Sequence, residues 1–305
     1  MAVNPDLFGN VLEFPDPDAQ VRFAGLVGID ATKQRLVQEA VYLLDPDAIT
    51  QWSTKHHGSV IKAASELIGR TPLIVLAGDV GTGKTELAES FLDPVARAIK
   101  GGGTLYSLSL SARGHGAVGE MTSLISAAFA TVRDAGRSAQ RGKHVVVLLI
   151  DEGDALAQSR EMAQMHHEDR AGVNALIRGV DDLRRERLPV LTILCTNRPD
   201  ALDPALRRRA AASFTMERPN DAQRLALLSD LLGDLRLSAA DLQHLVAVTG
   251  PTETRTYGMT FSDIRQRLLP EAVLHVMPDA PLTAAAIITV ATKLEPTRPF
   301  TGAVR

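Results

Sequence analysis

Along this chain the spacing of apolar residues switches repeatedly between strand-like and helix-like periods. Leu73 to Ala77 is an unbroken apolar run. Val145 to Ile150 puts six apolar residues in a row, four of them β-branched. Val190 to Thr196 repeats that texture, Thr104 to Leu110 alternates, and Phe214 to Met216 forms a short last strand. Unbroken runs of this kind suit central strands of a parallel sheet covered on both faces. Between them the period becomes helical. Leu87, Ala88, Phe91, Leu92, Val95 and Ile99 share one face after the first run. Met121 to Val132 and Glu161 to Arg187 supply two more helices. Ile29, Leu36, Val37, Ala40, Val41 and Leu44 mark a helix ahead of the first strand. Strand and helix alternate through residue 217, which predicts an α/β fold with a doubly wound parallel sheet over residues 23–217.

Pro219 opens a different texture. Leu225, Leu228, Leu231 and Leu232 suggest one helix, and Leu242, Leu245 and Val248 a second. Ile264, Leu268, Val273 and Val276 suggest a third, interrupted by Pro270, and Ile287, Ile288, Val290 and Leu294 a fourth. Residues 218–295 therefore read as a small all-helical domain. Residues 296–305 read as a loose tail. Residues 1–22 carry Pro–Asp turns and read as an extended arm. Residues 45–70 are polar and read as irregular. His56 and His57 there are adjacent, so they do not share a helix face, and a solvated loop suits them better than a metal site.

Composition narrows the classes. Of 305 residues, 45% are hydrophobic and 23% charged, within the range of an ordinary globular protein. Formal net charge is −3, so nothing global points to nucleic acid or an anionic membrane. Cys195 is the single cysteine, which excludes an internal disulfide. The first residues lack a basic and an apolar signal region, and no apolar run reaches membrane-spanning length. A cytoplasmic chain is expected.

Two motifs carry chemistry. The first strand runs into Gly78-Asp79-Val80-Gly81-Thr82-Gly83-Lys84-Thr85, the G-x-x-x-x-G-K-T phosphate loop. Its glycines let backbone N–H groups close around a phosphate chain, Lys84 reaches the terminal phosphates, and Thr85 offers a hydroxyl to Mg²⁺. The helix opened by Glu86 puts the anion at a helix N-terminus. The run Val145 to Ile150 ends in Asp151-Glu152, a Walker B pair. Asp151 suits the Mg²⁺ shell, and Glu152 suits polarising a water that attacks the γ-phosphate. As a lone pair they would read as solvated acids at a strand end. Asn197 closes the next strand, either orienting water or making a turn. Arg207-Arg208-Arg209 forms either a solvated basic face or something more specific.

With GDVGTGKT, VVVLLIDEGDAL and TNRPDALDPAL followed by arginines, residues 23–295 resemble the AAA+ ATPases. The resemblance implies ATP and Mg²⁺ as cofactors, Asn197 as a γ-phosphate sensor, and a ring of copies, usually a hexamer. It implies Arg209 or Arg208 as an arginine finger reaching the neighbouring copy's site. Val27 and Gly28 would line the adenine pocket. Arg265, in Gly258-Met259-Thr260-Phe261-Ser262-Asp263-Ile264-Arg265, would be the second phosphate sensor, against a plain surface arginine. The helical domain would then be the lid.

Leu26-Val27-Gly28-Ile29-Asp30 ahead of a long helix, the segment Glu168-Asp169-Arg170-Ala171-Gly172-Val173-Asn174-Ala175-Leu176, and Arg207-Arg208-Arg209-Ala210-Ala211-Ala212-Ser213-Phe214 in place of the common finger sequence resemble one branch of that family, the pachytene-checkpoint remodellers. These act on HORMA-domain proteins, and bacterial relatives belong to anti-phage signalling systems. The matching pore loop holds Arg113, Gly114, His115 and Gly116 and lacks an aromatic hydrocarbon ring. His115 stands as either a flat gripping side chain or part of an ordinary surface loop. The expectation is an ATP-hydrolysing ring that opens HORMA-domain complexes, without membrane or nucleic-acid partners. A nucleotide switch or loader acting on DNA or another protein is the alternative, and a ring subunit with little turnover a third; Glu152 counts against the last.

Overall fold

In a computed structural model, described over residues 7–109, 120–140, 142–153, 167–253 and 255–300, six strands form one sheet. They are β1 (Asn10–Phe14), β2 (Leu73–Gly78), β3 (Gly102–Ser109), β4 (His144–Asp151), β5 (Val190–Thr196) and β6 (Ala212–Met216). The order across the sheet is β1-β3-β4-β5-β2-β6. β3, β4, β5 and β2 run parallel, with Leu73 opposite Thr192, Val146 opposite Val190 and Ser109 opposite Asp151. All six residues of β2 and all seven of β5 are buried, as unbroken apolar strands require.

Alternation sends their side chains to two faces. Leu73, Val75, Val146, Leu148 and Leu194 join one core with two helices, α7 (Glu120–Ala139) and α8 (His167–Glu186). Ile125, Phe129 and Val132 enter it from α7, and Leu176, Val180 and Leu183 from α8. On the other face α6 (Leu92–Ala98) packs against β3 and β4. The doubly wound parallel architecture is thus as the alternating pattern predicts.

Four expectations need correction. The arm expected over 1–22 contributes β1, antiparallel to β3, and α1 (Pro17–Ala24). Phe8 and Phe14 are buried, and the Phe8 ring meets Tyr106 at 5.0 Å. The Asp16 carboxylate accepts the Ala19 N–H at 3.1 Å, so a Pro–Asp pair read as a turn is a helix start. Second, residues 45–70 are two helices, α3 (Pro46–His57) and α4 (Lys62–Ile68). Pro46 sits in the first turn and Gly58 ends α3 at φ 74, a stop that only the backbone reveals. His56 and His57 flank the Trp52 ring at 6.1 and 5.4 Å. Among the described residues no group of three or more His, Cys, Asp and Glu could hold a metal.

Third, the helix after the phosphate loop is two pieces, α5 (Lys84–Ser90) and α6, because Pro94 has no N–H for the preceding turn. Fourth, the tail expected to be loose is tied down. Thr297 N–H donates to Asp263 Oδ2 at 3.0 Å, and its hydroxyl to Oδ1 at 2.7 Å. The helix expected from Glu161 is seen from His167, with residues 154–166 outside the description.

The remaining helices are α2 (Asp30–Leu44), α9 (Pro204–Arg209), α10 (Asp221–Leu231), α11 (Ala239–Thr249), α12 (Leu269–Val276) and α13 (Ala284–Lys293). A π-helical turn, Asp263–Leu268, precedes α12 where Pro270 cannot donate a regular bond. Among the described residues no helix is long and apolar enough to cross a membrane.

The chain divides into two compact units. One holds Met1–Phe23, Ala31–Ala77 and Thr85–Thr215; the other holds Ala24–Asp30, Gly78–Lys84 and Met216–Arg305. The second is therefore more than the helical segment 218–295. It includes a piece near residue 27 and the phosphate loop itself. Its core is Leu227, Leu228, Leu245, Met259, Ile264, Leu268 and Ile287.

In the sheet unit Glu39 is buried on α2 and paired with Arg35 and Arg70. Arg70 Nη1 donates to Glu39 Oε2 at 2.8 Å, and Arg70 also bonds the Ala211 carbonyl just before β6. Arg70→Ala is expected to cost about 2 kcal/mol, since it leaves one oxygen of a buried carboxylate without its charged donor while Arg35 still holds the other. Glu39→Gln in the same chain is expected to recover part of that loss in denaturant titrations.

Candidate functional site

The phosphate loop leaves β2 at Gly78 and turns through Gly78 at φ 150, Gly81 at φ 75 and Gly83 at φ 92. Space as well as φ demands glycine. A Cβ on Gly78 would lie 2.0 Å from the Met216 carbonyl oxygen, and one on Gly81 2.6 Å from Thr260 Oγ1. Lys84 is buried, and its ammonium donates to the carbonyls of Gly78 at 3.1 Å and Asp79 at 2.7 Å. Thr82 Oγ1 donates to the same Asp79 carbonyl at 2.8 Å. Val80 is exposed.

The same unit holds Val27, Gly28 and Arg265, whereas Thr85 and Glu86 fall in the sheet unit. Leu26 lies beside Gly83, 3.6 Å from where a Cβ would stand. Next to it, after Val27, Gly28 adopts φ 81 and its carbonyl accepts Gln223 Nε2 at 2.8 Å. Arg265, in the π-helical turn, donates through Nη2 to the Gly25 carbonyl at 2.6 Å and lies 3.8 Å from Asp230. Residues 25–28, the phosphate loop and Arg265 thus belong to one compact body.

Asp263 anchors that turn from inside. It is fully buried, and it accepts from Thr260 N–H at 3.0 Å, from Thr297 twice and from Arg267 Nη1 at 2.7 Å. Burial alone would raise its carboxyl, but these hydrogen bonds outweigh it and hold the group below its ordinary value.

In the sheet unit, Thr85 Oγ1 donates to Asp151 Oδ2 at 2.9 Å. Asp151 ends β4, and its Oδ1 accepts the Glu152 N–H at 2.8 Å. Glu152 is exposed and adopts φ 54, a left-handed conformation that L-residues other than Asn and Asp rarely take. The turn is sharp, for a Cβ on Gly153 would lie 2.5 Å from Leu194. β5 stops at Thr196, whose hydroxyl accepts the Arg198 N–H at 3.0 Å, so Asn197 sits in the bend. Asp151, Glu152 and Asn197 therefore share the carboxyl edge of two adjacent parallel strands, where open α/β sheets bind ligands.

The other expected residues fall as follows. Glu86 faces Arg22 of α1, with Nη1 to Oε1 at 3.3 Å. Arg22 also reaches Glu89 at 3.5 Å; burial raises the Glu89 carboxyl against that attraction. The arginine run lies on α9, capped by the buried Asp203, which accepts the Ala205 N–H at 2.7 Å. Arg209 Nε pairs with Asp181 of α8 at 3.1 Å. Arg208 is exposed, with Nε 3.3 Å from the Pro204 carbonyl. Arg113, Gly114, His115 and Gly116 lie outside the described residues. Sequence reading missed Arg22 and Arg218, the latter bound to Asp79. Their partners lie 64 and 139 residues away, beyond any local pattern.

Residues 74–218 match the family model described as "ATPase family associated with various cellular activities (AAA)". CD-NTase-associated protein 6 of Escherichia coli (strain MS 115-1) is 48% identical over 97% of this chain and 96% of its own. The chain belongs to the AAA ATPase family. This AAA ATPase is also similar to solved structures. A chain of the E. coli MS115-1 HORMA:CdnC:Trip13 complex is 48% identical at TM-score 0.90, covering 98% of this chain and 100% of that one. A Rhizobiales Trip13 structure is 42% identical at TM-score 0.75, covering 96% and 100%. C. elegans PCH-2, at 18% identity and TM-score 0.65 over 93% of this chain and 72% of that one, shares the fold. A nucleotide-binding chain follows from the family.

A lowered carboxyl stabilises the folded state above the ordinary carboxylate range, and that stability fades as pH falls through the folded value. Asp263→Asn is therefore expected to cost about 3 kcal/mol at neutral pH. The gap in Tm between it and the parent should narrow in melts run below about pH 4.

Proposed function

We propose that this AAA ATPase hydrolyses ATP to open or disassemble complexes of a HORMA-domain protein, as part of bacterial anti-phage signalling. One observation carries the reading: near full-length similarity, at 48% identity, to a chain of a HORMA:CdnC:Trip13 complex. The chemistry of the site residues supports it. Gly78 to Thr85 cradle the phosphates, with Lys84 leaving its loop carbonyls for the β- and γ-phosphates. Thr85 and Asp151, already hydrogen-bonded to each other, are the hard oxygen ligands that suit Mg²⁺. Glu152 polarises the attacking water and Asn197 orients it. Val27 and Gly28 line the base, and Arg265 reads the phosphate from the same chain.

In this reading the working form is a cytoplasmic homo-oligomer, a hexamer, because the arginine finger comes from the next copy. Arg208, exposed on α9, and Arg209, paired with Asp181 of α8, are its two candidates. Substrate engagement is assigned to the loop of Arg113, Gly114, His115 and Gly116.

Lys84→Ala is expected to abolish binding of ATP with Mg²⁺ in a fluorescence titration. Glu152→Gln is expected to bind ATP, hydrolyse it at least about a hundredfold more slowly, and leave a HORMA-domain complex closed in a native-gel assay. Turnover of HORMA-independent cargo, with no effect of a HORMA protein on rate, would count against the substrate assignment. Of Arg208→Ala and Arg209→Ala, the variant that removes the finger is expected to keep ATP affinity and lose about three orders of magnitude in rate. Mixing that variant with Glu152→Gln protein should restore some hydrolysis; no recovery at any ratio would remove the finger's role between copies.

A further inference from the structure

Asp79 puts a carboxylate into a loop whose purpose is to hold an anion. Left alone, that charge repels a triphosphate and turns the loop against its own ligand. Arg218, two residues past the end of β6, meets it. Arg218 Nε and Nη2 both lie 2.6 Å from Asp79 Oδ2, with the pair largely buried. The remaining donors of the fork are spent on fixed carbonyls: Nη1 on Gly258 at 2.8 Å and Nη2 on Thr297 at 2.8 Å. The guanidinium also lies over the Tyr257 ring at 5.1 Å. Asp79 Oδ1 accepts the N–H of Val80 at 2.8 Å and of Phe300 at 3.2 Å. Thr297 is fastened in turn to the buried Asp263.

The same Asp79 presents the backbone carbonyl on which Lys84 rests. Holding the Asp79 side chain therefore holds the loop carbonyl that meets the phosphate-binding lysine. We propose that Arg218 is a positioning residue for nucleotide: it cancels the Asp79 charge and pins the phosphate loop, and the segment Thr297–Phe300 clips both in place. This rests on the reading of Gly78 to Thr85 as the ATP site. A lysine at 218 would restore the charge but could not serve Asp79, Gly258 and Thr297 with one planar fork.

The test compares affinity for a fluorescent ATP analogue with Mg²⁺, and steady-state ATP hydrolysis, across variants of the full chain. Arg218→Gln is expected to weaken analogue binding about tenfold, raising KM more than it lowers kcat. Arg218→Lys is expected to lose about threefold. Asp79→Asn added to Arg218→Gln is expected to bring affinity back to within about threefold of the parent, since no uncompensated charge remains. Parent-like affinity of Arg218→Gln overturns the proposal. So does a double variant as weak as Arg218→Gln, because a merely structural role would not respond to removing the charge. If Arg218→Gln melts before the assay, Arg218→Met with and without Asp79→Asn makes the same comparison, since Arg218→Met also leaves the Asp79 charge uncompensated. A parent that binds no analogue, or a Lys84→Ala variant that binds it unchanged, would instead remove the ATP-site assignment.

Discussion

The register of β2, β5 and β4 is the constraint from which the chemistry follows. Their buried side chains leave each strand one acceptable alignment, since a slip by one residue would exchange the two faces. With Ala77 opposite Thr196 and Ile150 opposite Leu194, the strands stop close together along the sheet. Gly78, Asp151 and Asn197 are the residues at those stops. A parallel sheet covered on both faces leaves its carboxyl edge as the place where polar side chains escape the core. The acids at the end of β4 need no separate scaffold, because the strand that carries them is held along its whole length.

A second constraint is charge. Four carboxylates among the described residues are each held by a dedicated partner. Asp151 meets the Thr85 hydroxyl, Asp79 meets Arg218, Glu39 meets Arg70, and Asp263 meets Thr260, Thr297 and Arg267. Burial makes every such group costly when stranded. The sheet unit uses this to tie α2 to the segment before β6, and the helical unit uses it to tie the phosphate loop to the segment after α13. A phosphate loop that clusters with the helical unit has an evident use in an AAA ATPase. Gly78 to Lys84 form one body with Arg265 and residues 25–28, so these groups share a common frame.

Local strain marks the same edge. Glu152 takes a left-handed conformation immediately after a regular strand, and the Asp151 carboxylate bonds its N–H. Asp151 reaches the Thr85 hydroxyl, and Glu152 is exposed.

Much of this was legible in the amino-acid order. Unbroken apolar runs named the central strands, and the glycine loop and the acids at the end of β4 stood out as site candidates, because each signal is complete within a dozen residues. Asn197, Val27, Gly28 and Arg265 needed the family resemblance as well. What tertiary structure alone decided was pairing across distance. Residues 10–14 became an edge strand because β3 offered a partner, and residues 46–68 became helices despite their polarity. Asp79 found Arg218, and the segment at Thr297 found Asp263. Periodicity reports what a segment can bury; it carries no record of which distant charge will meet it, since that depends on where the packed core happens to bring two surfaces together.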